Sequence, residues 1–172
     1  MRTIIQNGTI VSDTAAFRAD LLLEDGVVKA VGAGLSVPDA QVIDASGKYV
    51  LPGAVDVHTH MDLQAGAHRA VDDFYTGTVA AACGGTTTIV DFGTQYEGES
   101  LADGLRNWHE KADGKCSCDY GFHMSITDWN PSVSREIDDM MEQGVSSFKL
   151  YMTYDTQVDD ETIFAILRRL KE

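Results

Sequence analysis

Two histidines separated by one residue, His58 and His60, stand at the end of a largely apolar run, residues 54–57. If that run is a β-strand, alternate residues face the same side, and both imidazoles are presented together. Imidazole is a good ligand for transition metals such as zinc, and Asp56 on the same face could orient one ring. The spacing indicates a metal site, with a polar strand end carrying two solvated histidines as the alternative.

Lys149 stands in the middle of a second apolar, strand-like segment, residues 146–151. Lysine is rarely buried without a partner, and desolvation favours its neutral amine. A neutral amine reacts with carbon dioxide to give a carbamate, an anion whose two oxygens can bridge two metal ions. The alternative is a lysine whose ammonium group reaches solvent at the rim of a sheet.

Strands and helices alternate through the region that contains these residues. The predicted strands are 54–59, 86–92, 120–126 and 146–151. Helix starts are predicted at Asp72 or Asp73, at Ser100 with Asp103 in a capping box, and at Asp159, with stops at Gly84-Gly85 and Gly144. This alternation predicts repeated βαβ units with a parallel sheet, but it does not separate a closed barrel from an open doubly wound sheet. Residues 51–172 contain no phosphate-binding glycine loop, so a nucleotide fold has no positive support.

Residues 1–50 differ from the rest of the chain in their sequence pattern. Here short segments with β-strand character are separated by turns. The predicted strands are 3–6, 9–11, 21–23, 27–31 and 42–43. Asn7-Gly8 and Asp25-Gly26 are typical of two-residue hairpins, because a type I′ turn needs positive φ at both central positions. The sequence predicts a small all-β unit here, part of a sandwich.

The charge and cysteine content narrow the possible partners and location. Among 172 residues, 13 Lys and Arg stand against 27 Asp and Glu, a net charge of −14 without a basic run. Binding to nucleic acid or to an anionic membrane is therefore not expected. The amino-terminal apolar run ends at Asn7-Gly8 and predicts neither a signal peptide nor a membrane span. Three cysteines, an odd and sparse set, favour a reducing cytoplasm over a disulfide framework.

Four segments occur together in an order and spacing that resemble the hydantoinase and dihydropyrimidinase family of the amidohydrolase superfamily. They are residues 52–60 (PGAVDVHTH), 72–78 (DDFYTGT), 83–87 (CGGTT) and 147–154 (SFKLYMTY). The resemblance runs through nearly the whole chain. It implies an α/β fold: the first half of a TIM-type (β/α) barrel, as four βα units in residues 51–172, preceded by part of a small β-sandwich in residues 1–50.

The resemblance also assigns roles to individual residues. His58 and His60 match ligands of the more buried of two divalent metals, which are expected to be zinc, with manganese as the alternative. Lys149 matches a carbamylated lysine that bridges both metals. Tyr154 matches a tyrosine that binds substrate and stabilises the oxyanion.

Three loops match segments that shape the substrate pocket in the family: residues 61–71, 92–97 and 151–159. The positions expected to line the pocket are Met61, Leu63, Phe92 and Tyr151.

The activity implied is hydrolytic opening of the ring in hydantoins or dihydropyrimidines. A small cyclic amide is the expected partner, and the full enzyme is expected to be a homo-oligomer, a tetramer or a dimer. The family draws two more histidine ligands and an aspartate base from later strands, and His68, His109 and His123 do not match those positions. The chain is therefore expected to be the amino-terminal part of a longer enzyme and to hydrolyse nothing appreciable alone.

Other interpretations of the sequence stay open beside this family. A dihydroorotase would carry an arginine two residues after the second histidine, where this chain has Asp62. An allantoinase is closer. Non-catalytic relatives of dihydropyrimidinase lose metal ligands, including the lysine, whereas this chain keeps Lys149. A natural half-barrel that assembles with a partner through its exposed edges is a further alternative.

Overall fold

The computed structural model describes residues 1–172, apart from the side chain of Ala65. The chain forms two compact units, Met1–Pro52 and Gly53–Glu172. The first unit contains seven strands: β1 (Arg2–Gln6), β2 (Thr9–Val11), β3 (Ala16–Arg18), β4 (Asp20–Glu24), β5 (Val27–Gly32), β6 (Gln41–Asp44) and β7 (Tyr49–Val50). Of these, β3 and β7 were not predicted from the sequence.

The strands of the first unit form two sheets, in the orders β5-β4-β1-β6 and β3-β2-β7. The hairpin predicted at Asp25-Gly26 is confirmed. It joins the antiparallel strands β4 and β5, and both turn residues have positive φ, 51° and 78°. This is the backbone that a type I′ turn requires.

The hairpin predicted at Asn7-Gly8 is wrong. Strand β1 pairs with β4 and β6, whereas β2 pairs with β3 and β7, so the chain changes sheets here. Only Asn7 has positive φ, and its amide N–H donates to Asp20. A Cβ on Gly8 would lie 2.6 Å from the side chain of Val50. The glycine is needed for this close approach rather than for a turn.

The second unit alternates strands and helices as predicted. Its elements are β8 (Ala54–Thr59), β9 (Gln64–Ala65), β10 (His68–Arg69), α1 (Phe74–Gly84), β11 (Thr86–Thr94), α2 (Leu101–Ala112), β12 (Asp119–Ser125), α3 (Pro131–Glu142), β13 (Phe148–Lys149) and α4 (Asp160–Lys171). Four of the strands form a parallel sheet in the order β13-β12-β11-β8. The predicted parallel βαβ arrangement is confirmed.

The helices begin where side chains cap them. Asp73, Ser100 and Asp159 are the N-caps of α1, α2 and α4, as predicted, and Asn130 caps α3. Their apolar faces cover the sheet in one core, whose largest fully buried members are Trp108, Phe74, Ile89, Leu101, Met124, Ile126, Ile137, Met140 and Ile166. In the part of the chain that the structure describes, no helix combines the length and apolarity that a membrane crossing demands.

Two segments next to the carboxyl ends of the strands differ from the prediction. The fourth strand was predicted over residues 146–151, but β13 pairs only at Phe148 and Lys149. The chain then turns away, and Tyr151 makes an isolated bridge with Gln157. The loop at 61–71 contains the short antiparallel pair β9–β10. Both segments lie where a barrel places its site, beyond the carboxyl ends of parallel strands.

Candidate active site

The predicted metal donors converge on one aromatic ring at the carboxyl ends of the parallel strands. The ring of Phe92, in β11, lies 4.8 Å from that of His58 and 5.0 Å from that of His60, centroid to centroid. The Nζ atom of Lys149 lies 5.1 Å from the same centroid. The two imidazoles are 5.1 Å apart in an edge-to-face arrangement. Residues distant in sequence therefore form one cluster, with Phe92 at its centre.

His60 fits a metal ligand by the state of its ring. Its Nδ1 atom is buried and has no hydrogen-bond partner. Burial lowers the pKa of His60, and the positive charges of His58 and Lys149 add to this against the opposing pull of Asp91. A buried nitrogen without a partner is costly unless something else binds it. A neutral imidazole with a free lone pair is what a divalent cation requires.

The rest of the donor set is compatible with this reading. Within the described residues, no group of three His, Cys, Asp or Glu side chains could hold a metal ion. The third basic group beside the two histidines is Lys149, which becomes an oxygen donor only as a carbamate. The residues of this chain thus fit a divalent metal if Lys149 is modified.

Asp56 does not play the part expected of it. Its carboxylate accepts a hydrogen bond from the backbone N–H of His58 at 3.1 Å, not from an imidazole. Because both residues belong to the exposed strand β8, the carboxylate folds back onto its own chain.

Asp91 is the residue of the site that the sequence reasoning missed. It is 1% exposed in β11 and accepts hydrogen bonds from Thr59 Oγ1 at 2.9 Å and from the backbone N–H of Met61 at 2.7 Å. These two donors flank His60 on either side. A usable signal was present, because aspartate is depleted in strands and is almost never fully buried without partners.

The other three histidines have local explanations. His68 is exposed in β10, and His109 lies 2.9 Å from Asp113 at the surface of α2. His123, in β12, has both ring nitrogens in hydrogen bonds.

An open cavity of about 1120 Å³ lies beside the cluster. It is lined by His60, Leu63, Gln64, Gly66, Thr94, Tyr96, Glu97, Thr127, Asp128, Tyr151, Tyr154, Asp155, Thr156 and Gln157. Residues of all three expected pocket loops contribute. Among the expected pocket positions, Leu63 and Tyr151 belong to this lining.

Met61 and Phe92 are not among the described residues that line the cavity. A Cβ on Gly77 would lie 2.2 Å from the sulfur of Met61. The Met61 side chain therefore packs onto α1. Phe92 is 6% exposed and lies under the histidine rings. Met61 packs on α1 and Phe92 on the histidine rings, and the contact of either residue with substrate stays a prediction.

Two tyrosines face each other at the cavity. The rings of Tyr151 and Tyr154 are 6.3 Å apart, edge to face. Burial raises the pKa of Tyr151, which keeps its phenol protonated. Tyr154 is 74% exposed and has a left-handed backbone, with φ of 67°. This conformation is unfavourable for a bulky side chain and holds the phenol on the cavity side of a tight turn.

The charges of the lining are negative. Glu97, Asp128 and Asp155 contribute carboxylates, and the lining residues given above include no lysine or arginine. The described lining therefore carries a negative charge, which bound divalent cations would oppose.

Comparison with known proteins places this geometry in a family. Residues 49–172 match the model of the amidohydrolase family. The chain belongs to the amidohydrolase family. It is 48% identical to a D-hydantoinase of Streptomyces coelicolor, over 99% of this chain and 38% of the relative. It is 45% identical to a D-phenylhydantoinase of Escherichia coli, over 100% of this chain and 38% of the relative. The resemblance to hydantoinases and dihydropyrimidinases is confirmed.

The fold of this amidohydrolase chain agrees with a solved relative. A dihydropyrimidinase from Brevibacillus agri superposes with a TM-score of 0.97 at 45% identity, over 99% of this chain and 38% of that structure. The prediction of a TIM-type half-barrel is confirmed. The chain spans less than two-fifths of the length of the curated relatives that it matches.

Proposed function

We propose that the protein containing this chain is a metal-dependent hydrolase that opens the cyclic amide ring of hydantoins or dihydropyrimidines. The convergence of His58, His60 and Lys149 around Phe92, with His60 in the cavity lining, carries the proposal. The names of the relatives, D-hydantoinase, D-phenylhydantoinase and dihydropyrimidinase, support the reaction and the kind of ring.

His58 and His60 would hold the first of two divalent cations, and a carbamate on Lys149 would join both. Zinc is the expected metal and manganese the alternative. Bound divalent cations lower the pKa of water and polarise carbonyl groups. The unpaired, buried Nδ1 of His60 and its lowered pKa support this assignment.

Tyr154 would donate its hydroxyl hydrogen bond to the oxygen that becomes negative as the amide carbon turns tetrahedral. A fixed donor aimed at developing charge stabilises a transition state strongly. Tyr154 and His60 both line the cavity in which the ring would bind. Leu63 and Tyr151 would contact the ring substituent from the cavity wall.

Asp62 stands where a dihydroorotase would carry its substrate-binding arginine, which argues against a dihydroorotase type of substrate. Allantoin is also a neutral ring, and the cavity admits it as the second candidate. A homo-oligomeric assembly and a cytoplasmic location remain predictions.

The test is ring opening of phenylhydantoin, dihydrouracil and allantoin, side by side. It uses the natural reading frame that contains these 172 residues, supplied with zinc and bicarbonate. Opening of a hydantoin or dihydropyrimidine ring that is abolished in Lys149→Ala supports the proposal. Lys115→Ala is the matched control, because Lys115 is an exposed lysine whose Nζ donates a hydrogen bond to a backbone carbonyl of α2.

Three outcomes would count against it. A folded, metal-loaded protein that opens only allantoin moves that ring to the front, and one that opens none of the three rings contradicts the proposal. Activity that survives in Lys149→Ala would exclude an essential carbamate on that lysine. The 172-residue chain by itself is expected to hydrolyse nothing above its own Lys149→Ala variant, since the Lys149 carbamate is the one ligand assigned to the second cation.

A further inference from the structure

His123 connects the strand that carries His58 to the segment that carries Lys149. It lies in β12, and its Nε2 is 2.9 Å from the carbonyl oxygen of Val57, the residue before His58. Its Nδ1 contacts the hydroxyl of Ser147, two residues before Lys149. One imidazole therefore reaches across β11 to β8 on one side and to the start of β13 on the other.

The direction of these hydrogen bonds follows from the acceptor. A carbonyl oxygen can only accept, so Nε2 carries a proton and donates a hydrogen bond to the carbonyl oxygen of Val57. In the neutral ring, Nδ1 then accepts from the hydroxyl of Ser147. Both nitrogens of His123 are used within the protein, and neither is free to bind a metal or a substrate.

The bond to Val57 lies where the sheet is irregular. Between Asp56 and Thr59, β8 advances three residues while β11 advances two, so the register shifts at Val57 and His58. Such shifts, of which β-bulges are the common kind, interrupt the ladder and re-aim side chains. The regular ladder does not fix the strand at this point, and the bond from His123 supplies a separate constraint.

The hydrogen bond between His123 and Ser147 constrains the segment that carries the other predicted donor, Lys149. Residues two apart in an extended chain face the same side, so Ser147 and Lys149 point together. His123 also packs against Phe92, with centroids 4.8 Å apart, and the Nζ atom of Lys149 lies 5.1 Å from that ring. His123 thus contacts Val57, Ser147 and Phe92, which adjoin or pack against the predicted donors, rather than the donors themselves.

We infer that His123, with Ser147, is a positioning device that sets the separation of His58 and Lys149. A fixed separation is needed if one ion is to be shared between an imidazole and a lysine carbamate. This inference rests on the proposed function, because it concerns the residues assigned there as metal ligands.

The experiment replaces zinc by cobalt(II) in the protein expressed from its natural reading frame. Cobalt affinity and the visible absorption band report the ligand geometry, and ¹³C-bicarbonate labelling reports the carbamate by NMR. Ser147→Ala removes only the link to β13, and Ser147→Thr restores a hydroxyl. His123→Phe removes both links but keeps a ring against Phe92. Ser146→Ala is the control, because its side chain is exposed.

Ser147→Ala and His123→Phe are expected to weaken cobalt binding about 10- to 100-fold, with a changed absorption band. Their kcat should fall more than KM rises, while Ser147→Thr and Ser146→Ala stay near wild type. The midpoint of thermal unfolding of Ser147→Ala should match that of Ser146→Ala. Wild-type cobalt affinity and absorption in both Ser147→Ala and His123→Phe would overturn the inference. So would a loss that only follows a lower unfolding midpoint.

The failure of this inference can be told apart from failure of the proposed function. If the unmodified protein binds no cobalt and opens no ring, the proposed function fails. If the unmodified protein is active and loses activity in Lys149→Ala, but is indifferent to Ser147→Ala and His123→Phe, only the positioning role fails.

Discussion

The backbone N–H of Met61 donates a hydrogen bond to Asp91 Oδ2 across 2.7 Å, between β11 and the residue that follows His60. The same oxygen accepts from Thr59, the residue that precedes His60. The other oxygen accepts from the backbone N–H of Phe92 and from the indole N–H of Trp108, at 2.7 and 3.2 Å. One buried carboxylate therefore fixes the chain on both sides of a predicted metal ligand and ties it to the core.

Replacing Asp91 by alanine is expected to lower the free energy of unfolding by about 3 kcal/mol, because four donors lose their acceptor in a buried place. Asp91→Asn should cost less, since one oxygen remains. Chemical denaturation checks both values. The control is Asp138→Ala, an exposed carboxylate whose ion pair with the half-buried Arg169 should contribute under about 1 kcal/mol. Equal losses in Asp91→Ala and Asp138→Ala would contradict the structural role of Asp91.

Two helical glycines test the packing of α2 on the sheet. A Cβ on Gly104 would lie 3.0 Å from the carbonyl oxygen of Thr94 and 3.1 Å from Gln95 Cα. Both are backbone atoms, at the end of β11 and directly after it. Gly104→Ala is therefore expected to destabilise by about 1–3 kcal/mol. A Cβ on Gly84, at the end of α1, would lie in open space. Gly84→Ala should therefore be neutral or stabilising by up to about 1 kcal/mol.

Thermal and denaturant unfolding of these two variants gives the comparison directly. The order of stability should be Gly84→Ala above Gly104→Ala. A Gly104→Ala protein as stable as the unsubstituted one would mean that α2 can shift away from β11 without cost.

The site could be predicted from sequence where residue chemistry conflicts with its surroundings. Two imidazoles at spacing two and a lysine in an apolar run are visible without a structure, and the structure brings them around Phe92. Asp91 carries the same kind of signal but lies inside a long strand pattern, where one charged residue in nine is easily passed over. Its importance lies in its four partners, which are known only once the strands are placed.

The fold was predictable to the extent that periodicity and caps determine it. Helix starts at Asp73, Ser100 and Asp159 follow from local hydrogen-bonding chemistry. The pairing of β1 and β2 with different sheets does not, because Asn7-Gly8 has the local character of a turn in either arrangement. The end of β13 is likewise set by its neighbours, since the apolar pattern continues past the last paired residue.

Cysteine reactivity offers a pH-dependent prediction. Burial, with smaller contributions from Cys118 and Asp113, raises the pKa of Cys116 to about 11. Only the thiolate reacts with iodoacetamide, so at about pH 8 roughly one Cys116 in 1000 is reactive. Labelling of Cys116 should therefore be slow and should speed up about tenfold per pH unit until about pH 11. Cys83 is exposed and should label first.

Peptide mapping by mass spectrometry after timed alkylation measures each thiol separately. Cys118→Ser removes one neighbour and should modestly accelerate Cys116, whereas Cys83→Ser should leave its rate unchanged. Labelling of Cys116 at neutral pH as fast as that of Cys83 would contradict the half-buried position of the Cys116 thiol and its raised pKa.

Tyr154 tests the assignment of an oxyanion donor separately from that of the metal ligands. The side chain is 74% exposed, so Tyr154→Phe removes a hydroxyl without opening a cavity and should leave the free energy of unfolding within about 0.5 kcal/mol. If the hydroxyl stabilises the transition state, kcat should fall about 100- to 1000-fold with metal content unchanged. Tyr75→Phe, an exposed tyrosine in α1, is the matched control and should keep full activity.

The backbone at Tyr154 gives a second variant whose outcome separates positioning from chemistry. Because φ is 67°, glycine is better suited to this turn than tyrosine, and Tyr154→Gly should be at least as stable as Tyr154→Phe. Its kcat should nevertheless be as low as that of Tyr154→Phe, since both lack the hydroxyl. If Tyr154→Phe retains wild-type kcat, the hydroxyl has no role in the reaction. In that case the left-handed turn places Tyr154 only as part of the cavity wall beside Tyr151.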